Sequence, residues 1–395
     1  MPHHRRNLVF ISFSQFASNF SFNFINIFLP FFIIKISPYP SKHTLLWVGA
    51  IMGCGSLCSA MTATFWGSLT HRFSPKMLYL RALLANGILF LLMGFSTSLY
   101  MLFILRILQG LFGGASTTGM IIVSSSATKD RVSADIGFFQ SFMTLGQLSG
   151  PILGSVGVVL LGYRGAFISA SVVLFASLLF CHLYVMDVPP LPKKEKISGD
   201  TTLDKRILVG WVICFGAMIQ LTFLPSVLPN VFETFDIGQT TAIKLAGIVV
   251  MLYTTTSMIG SYVWSRLSIK TGQYRMISYL LTLGIILQAS LAFSRGITDF
   301  TVIRMLQTGL VAATFPLVIS IFAEESKGGT IGFINSARFA GNAMGPIIAT
   351  SVLAYFNLST LYFFISGITL LALLGFRIFF KQPAVASCDP PAPIE

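Results

Sequence analysis

Charge is scarce in this chain. Only 10% of its 395 residues are Asp, Glu, Lys or Arg, against 54% hydrophobic residues, and mean hydropathy is +0.80. A soluble domain carries roughly a quarter of its residues as charges, so a water-exposed globular surface is excluded. Acids are scarcer than bases, 13 against 26, and none stands in the middle of an apolar segment. The five cysteines have no pairing pattern or metal-ligand spacing, so neither a disulfide framework nor a metal is expected. Clusters of His, Asp and Glu suited to an integral-membrane enzyme are also missing, which argues against catalysis. No nucleotide-binding loop is present, which argues against direct ATP coupling, and no cofactor is expected. The net charge of +13 does not point to nucleic acid, because the basic residues sit in short loops between apolar runs. The basic start "MPHHRRN" precedes an apolar run too long for a cleaved signal, so the first span is expected to stay.

What is present is apolar length. Twelve segments between residues 8 and 380 reach the roughly 20 residues that a helical span needs, among them 136–161, 164–186, 207–232 and 299–323. They are rich in Gly and Ser, as expected of helices packed on one another. Short alternating strands of a β-barrel are absent. Taking the N-terminus as cytoplasmic, 17 of the 26 basic residues fall on the inner side and five outside, which predicts both termini in the cytoplasm. The short loops fit a bacterial cytoplasmic (inner) membrane. The polar, proline-broken stretch 187–206 separates six spans from six more and reads as a cytoplasmic linker.

The two sides of that linker repeat. "WGSLTHRFSPKMLYL" from Trp66 pairs with "WSRLSIKTGQYRMI" from Trp264, and Arg106-Ile-Leu-Gln109 pairs with Arg304-Met-Leu-Gln307, both at an offset of 198. "GFFQSFMTLGQLSGP" from Gly137 pairs with "GFINSARFAGNAMGP" from Gly332 at 195, matching Gly150-Pro151 to Gly345-Pro346. Three matches in one order imply a duplicated six-helix unit. The expected fold is therefore an all-α integral membrane protein. Its twelve transmembrane helices form two pseudo-repeated bundles, 1–186 and 207–395, with a binding site between them near the midplane.

Three stretches carry a resemblance. "GSLTHRFSPK" (Gly67 to Lys76), "RILQG" (Arg106 to Gly110) and "GQLSGPILGS" (Gly146 to Ser155) resemble signatures of the major facilitator superfamily, specifically its twelve-helix drug:proton antiporter branch. The resemblance implies alternating access, multidrug-type efflux and a proton as coupling ion. The first stretch departs from the family pattern, with His71 in place of Asp and Ser74-Pro75 in place of Gly-Arg, which puts the usual charge lock in doubt. Physically, Gly67 would let its helix approach a neighbour, and Arg72 and Lys76 can cap helix carbonyls. In the third stretch, Gly146, Gly150 and Gly154 form a smooth strip for close packing, and Pro151 removes a backbone hydrogen bond and kinks or loosens the helix.

Candidate binding residues are polar groups where lipid-facing residues would be apolar. Gln15, Asn19, Asn23 and Asn26 fall within about 80° of one another on the first helix. Amides facing lipid tails would be unsatisfied, so this stripe should face protein or a water-filled cavity. Asn335, Arg338 and Asn342 share a face by the same rule, and Gln140, Gln220 and Tyr253 add polar groups on three further spans. Arg106 inside a span should face a cavity or a partner, with Gly110 and Gly113 leaving room around it. Arg81 is expected to snorkel to the surface. The reading that results is a monomeric secondary exporter of small amphipathic compounds or metabolites. Its rivals are an organic-anion carrier, possible for uptake, that uses the cavity arginines, and a non-transporting receptor or assembly partner.

Overall fold

A computed structural model describes residues 3–127, 131–187, 205–323 and 328–379, and among them every regular element is helical. Most of the expected linker, together with Glu324 and Glu325, lies outside the described residues. The first half holds α1 (His3–Ile36), α2 (Ser41–Leu69), α3 (Pro75–Gly94), α4 (Leu99–Leu111), α5 (Ala115–Ser126) and α6 (Val132–Tyr184). The second holds α7 (Lys205–Thr222), α8 (Leu224–Thr234), α9 (Gln239–Thr271), α10 (Gln273–Ser290), α11 (Ile297–Val311), α12 (Thr314–Ala323), α13 (Gly328–Tyr355) and α14 (Leu358–Phe379).

Helices and expected spans do not correspond one to one. The segments 136–161 and 164–186 run together as α6, which folds back at Gly162, whose φ of +69° is open to glycine and strained for other residues. The helix passes Pro151 without a non-helical residue, so the proline removes a hydrogen bond but makes no break. Conversely, the spans 99–126, 207–232 and 299–323 are each broken into two helices, with Gly114 (φ +97°) closing the break between α4 and α5.

Two faces are defined by contacts between loop-end residues. On the first, Arg6 Nε donates to the Tyr184 carbonyl (2.9 Å), Asn7 Nδ2 to Met186 (3.3 Å) and Lys76 Nζ to His182 (3.0 Å). On the second, the Ser37 and Thr44 hydroxyls pair at 2.6 Å, and Lys42 lies 3.9 Å from the Tyr355 ring centre.

The halves close on the second face. A Cβ added at Gly53 of α2 would stand 2.5 Å from the Ala343 carbonyl of α13, and one at Gly247 of α9 would stand 2.6 Å from the Pro151 carbonyl of α6. Only glycine allows helices so near, and the Ile347 and Ser155 side chains complete the two contacts. One hydrophobic core runs across this seam, from Phe28 and Val48 to Phe232 and Val249. Towards the first face the tight glycines, Gly110 and Gly260, pack inside their own halves, and α5 and α12 make no extensive packing with the opposite half. Packing between the halves is therefore tight at the second face and sparse towards the first.

Candidate functional site

The glycine strip seats α1 against α6. A Cβ at Gly146 would lie 2.6 Å from the Phe16 carbonyl and 3.0 Å from Asn19 Cβ, and one at Gly150 would lie 2.8 Å from Asn23 Cβ. The second half repeats this, with Gly341 against Met218 and Gly345 against Thr222 of α7. The expected smooth strip is present. Gly67 does not share that role, because a Cβ there would meet Thr117 at 3.7 Å, an ordinary contact. Gly110 does not open space around Arg106 either: its missing side chain lets α4 press on α2, 2.5 Å from Cys58 Cβ and the Gly55 carbonyl.

The polar stripe of α1 divides into two. Gln15 is fully enclosed; its Nε2 donates to Ser116 Oγ (2.8 Å) and its Oε1 accepts from the Tyr79 hydroxyl (3.3 Å). It holds helices together and does not line open space. Asn19, Asn23 and Asn26 are half-buried. Asn19 Nδ2 donates to the Gln15 carbonyl (3.1 Å) and Asn23 Nδ2 to the Asn19 carbonyl (2.9 Å). Asn26 Oδ1 accepts from Arg106 Nη2 at 2.7 Å, and Arg106 Nη1 donates to Gln109 Oε1, also at 2.7 Å. Arg106 is 4% exposed, and its Nε has no hydrogen-bond partner among the described residues.

Arg304 repeats that arrangement with a different outcome. Its Nη1 donates to Gln307 Oε1 (2.7 Å), but its Nη2 goes to the Leu221 backbone carbonyl (3.1 Å). Gln307 Nε2 then donates to Gln220 Oε1 (2.7 Å), whose Nε2 donates to Thr369 Oγ1 (2.9 Å). The Phe223 and Tyr253 rings stand 4.9 and 5.1 Å from the guanidinium carbon and offset part of the cost of burying it. Arg304 is 0% exposed, so Gln220 and Tyr253 belong to a closed network inside the second half. The Arg-x-x-Gln spacing sets Gln109 and Gln307 on the faces of their arginines and is the sequence signal for both, whereas Thr369 has no such signal.

Other expected positions lie apart from these clusters. Arg338 is exposed, its guanidinium carbon 5.6 Å from the Phe315 ring centre and 5.5 Å from that of Phe339. Asn335 and Asn342 on the same face are half-buried, and Gln140 of α6 is exposed. At the first face Arg72 is exposed, and His71 sits half-buried in the turn after α2. Arg81 does not snorkel. Its guanidinium carbon lies 3.2 Å from the Trp66 ring centre and its Nη2 donates to the Gly113 carbonyl at 2.8 Å, beside the break between α4 and α5. Among the described residues no group of His, Cys, Asp and Glu has the makings of a metal site.

The all-helical, two-bundle fold is shared with solved transporters. The chain superimposes on a bacterial homolog of the human lysosomal transporter Spinster, in an inward-facing and occupied conformation, with TM-score 0.80 over 96% of this chain and 97% of that one, at 11% identity. In sequence it is 24% identical over 389 residues to multidrug resistance protein MdtG of Proteus mirabilis (strain HI4320), covering 96% of this chain and 97% of the relative. It is 23% identical over 378 residues to the staphyloferrin B transporter of Staphylococcus aureus (strain NCTC 8325 / PS 47), covering 91% and 89%. The sequence profile of the Major Facilitator Superfamily matches residues 11–306 and 207–393, which together span almost all of the molecule, and the chain belongs to that superfamily of membrane transporters.

Proposed function

We propose that the protein is a secondary exporter of small amphipathic compounds, working by alternating access from an inner membrane with both termini in the cytoplasm. The observation that carries this reading is the asymmetric packing of the halves: glycine contacts join them at the second face, while towards the face of Arg6 and Lys76 the tight glycines pack inside their own halves. Halves parted on the cytoplasmic side load cargo in an exporter and release it in an importer, so the direction rests on the relatives. The names of curated relatives support efflux of foreign compounds. Glycine contacts of van der Waals kind can part without breaking hydrogen bonds or ion pairs, which suits a seal that must open in each cycle.

Coupling to protons needs a titratable group. Asp135 is buried in the first turn of α6. We assign it the first place among coupling candidates, ahead of Glu233 and His71; Glu324, a further candidate, lies outside the described residues. The test is flux into proteoliposomes with a panel of cationic, neutral and anionic amphiphiles, with and without an imposed pH gradient. Movement of at least one compound, accelerated by the gradient and slowed in Asp135→Asn, is expected. No movement of any compound would end the transport reading, and gradient-driven flux unchanged in Asp135→Asn would end the assignment of the coupling group.

A further inference from the structure

The direction of the α1 amides defines what the cavity can recognise. A backbone carbonyl only accepts, so the bonds from Asn19 to Gln15 and from Asn23 to Asn19 must use the Nδ2 ends. The Oδ1 ends are left over. Neither oxygen is a sealed atom without a partner, and neither receives a protein donor among the described residues, so both are within reach of solvent. Their direction follows from what surrounds α1. Behind it, Ser14 meets Ser177 and Ser21 meets the Ala170 carbonyl. On one flank lies the strip of Gly146 and Gly150, and on the other lie Ser116 and Arg106. Asn19 and Asn23 point between the flanks, on the side where α6 goes on to meet α9 of the other half. This wall presents hydrogen-bond acceptors.

The second half presents a cation. Arg338 is exposed between α12 and α13, resting on Phe315 and Phe339, and has no hydrogen-bond or ion-pair partner among the described residues. The repeat pairs Gly146 with Gly341, and Asn19 touches Gly146 while Arg338 stands one turn before Gly341. The two groups thus lie within a helical turn, about 5.4 Å, of the same depth. An ammonium group alone would leave the guanidinium unmatched, and a carboxylate alone would leave the amide oxygens unmatched. A molecule with both uses both walls and brings no net charge into the bilayer.

Resting on the transport reading above, we propose that the preferred substrate is a zwitterion of amino-acid type, its N–H donors on Asn19 Oδ1 and Asn23 Oδ1 and its carboxylate on Arg338. Binding to the purified full chain is measured with four matched radiolabelled probes: phenethylamine, hydrocinnamate, phenylalanine and phenylalanine methyl ester. The amino acid is expected to bind roughly tenfold tighter than the other three, about 1.4 kcal/mol. Arg338→Ala should erase the gap between acid and ester without weakening the ester, and Arg338→Lys should keep part of the gap because its single ammonium lacks the planar fork. Asn19→Ala and Asn23→Ala should weaken phenethylamine and phenylalanine and leave hydrocinnamate unchanged, with thermal unfolding confirming that each variant is folded. Equal binding of acid and ester by the parent protein, an equal loss of both in Arg338→Ala, or binding of none of the probes would overturn the proposal. Selective binding without flux would leave it standing and remove the transport reading; flux of amphiphiles without this selectivity would do the reverse.

Discussion

The two halves share a frame and differ in what the frame holds. Trp66 Nε1 donates to the Leu111 carbonyl (2.7 Å) and Trp264 Nε1 to the Gly309 carbonyl (3.1 Å), donors and acceptors both 198 residues apart. Each half packs a glycine strip on its first span and pairs an Arg with a Gln three residues on. Yet Asn19 and Asn23 stand where the second half has Met218 and Thr222. Arg106 bonds a half-buried side chain, whereas Arg304 bonds a backbone carbonyl and is sealed by aromatic rings. Backbone-level contacts kept in both halves preserve the shape of the bundle. The side chains packed on the strips have diverged, as the zwitterion proposal requires.

The largest effect expected from breaking this comparison is at the glycine strips. Gly150→Leu should abolish flux while the protein still inserts, since any side chain there runs into Asn23 Cβ (2.8 Å) and the Phe20 carbonyl (2.9 Å). Gly345→Ala meets mainly the Thr222 hydroxyl, its next neighbours standing at 3.4 Å or more. It should cost about 1–3 kcal/mol in stability, largely recovered with Thr222→Ala. Full flux in Gly150→Leu at normal expression, or no recovery in the double variant, would show that the strips do not govern packing as described.

Arg304→Met and Arg106→Met separate the two arginines. The first leaves Gln307 Oε1 and the Leu221 carbonyl unpaired in a closed interior, at about 1–3 kcal/mol for each group, and should lower the melting temperature in detergent clearly. The second frees the Asn26 amide at the cavity edge. It should change substrate selectivity more than its smaller fall in melting temperature implies. Identical thermal and flux profiles in the two variants would mean that the halves use their arginines alike.

The smallest effect concerns the breaks in the broken spans. Arg81 braces the Gly113 carbonyl and covers Trp66, while its repeat position holds Tyr279, which is 66% exposed. Arg81→Ala should cost about 2 kcal/mol, from one charged hydrogen bond and one ring contact. Tyr279→Ala should stay within about 0.5 kcal/mol, as for surface positions generally. Thermal unfolding of both variants checks this, and an equal loss in both would erase the asymmetry.

Composition and repeat offsets alone determined that this chain is a duplicated, all-α membrane protein, and three short stretches carried its resemblance to the facilitator type. Long apolar segments force helices in lipid, and the offsets of 198 and 195 force a repeat. The close approach at Gly146 and Gly150 was legible too, because glycines spaced by four line one face of any helix. Tertiary structure decided which members of the polar stripe meet open space. A helical wheel gives a direction from the helix axis but not the neighbour lying in that direction. Gln15 and Asn19 are 40° apart by the wheel, yet Ser116 and Tyr79 enclose one and leave the other half-buried. The same holds for Arg81, drawn to Trp66 and a freed carbonyl, and for Gly162, where two spans meet in one turn of chain. Each outcome depends on which residues far apart in sequence come to lie side by side, and that is settled by packing between helices, not within them.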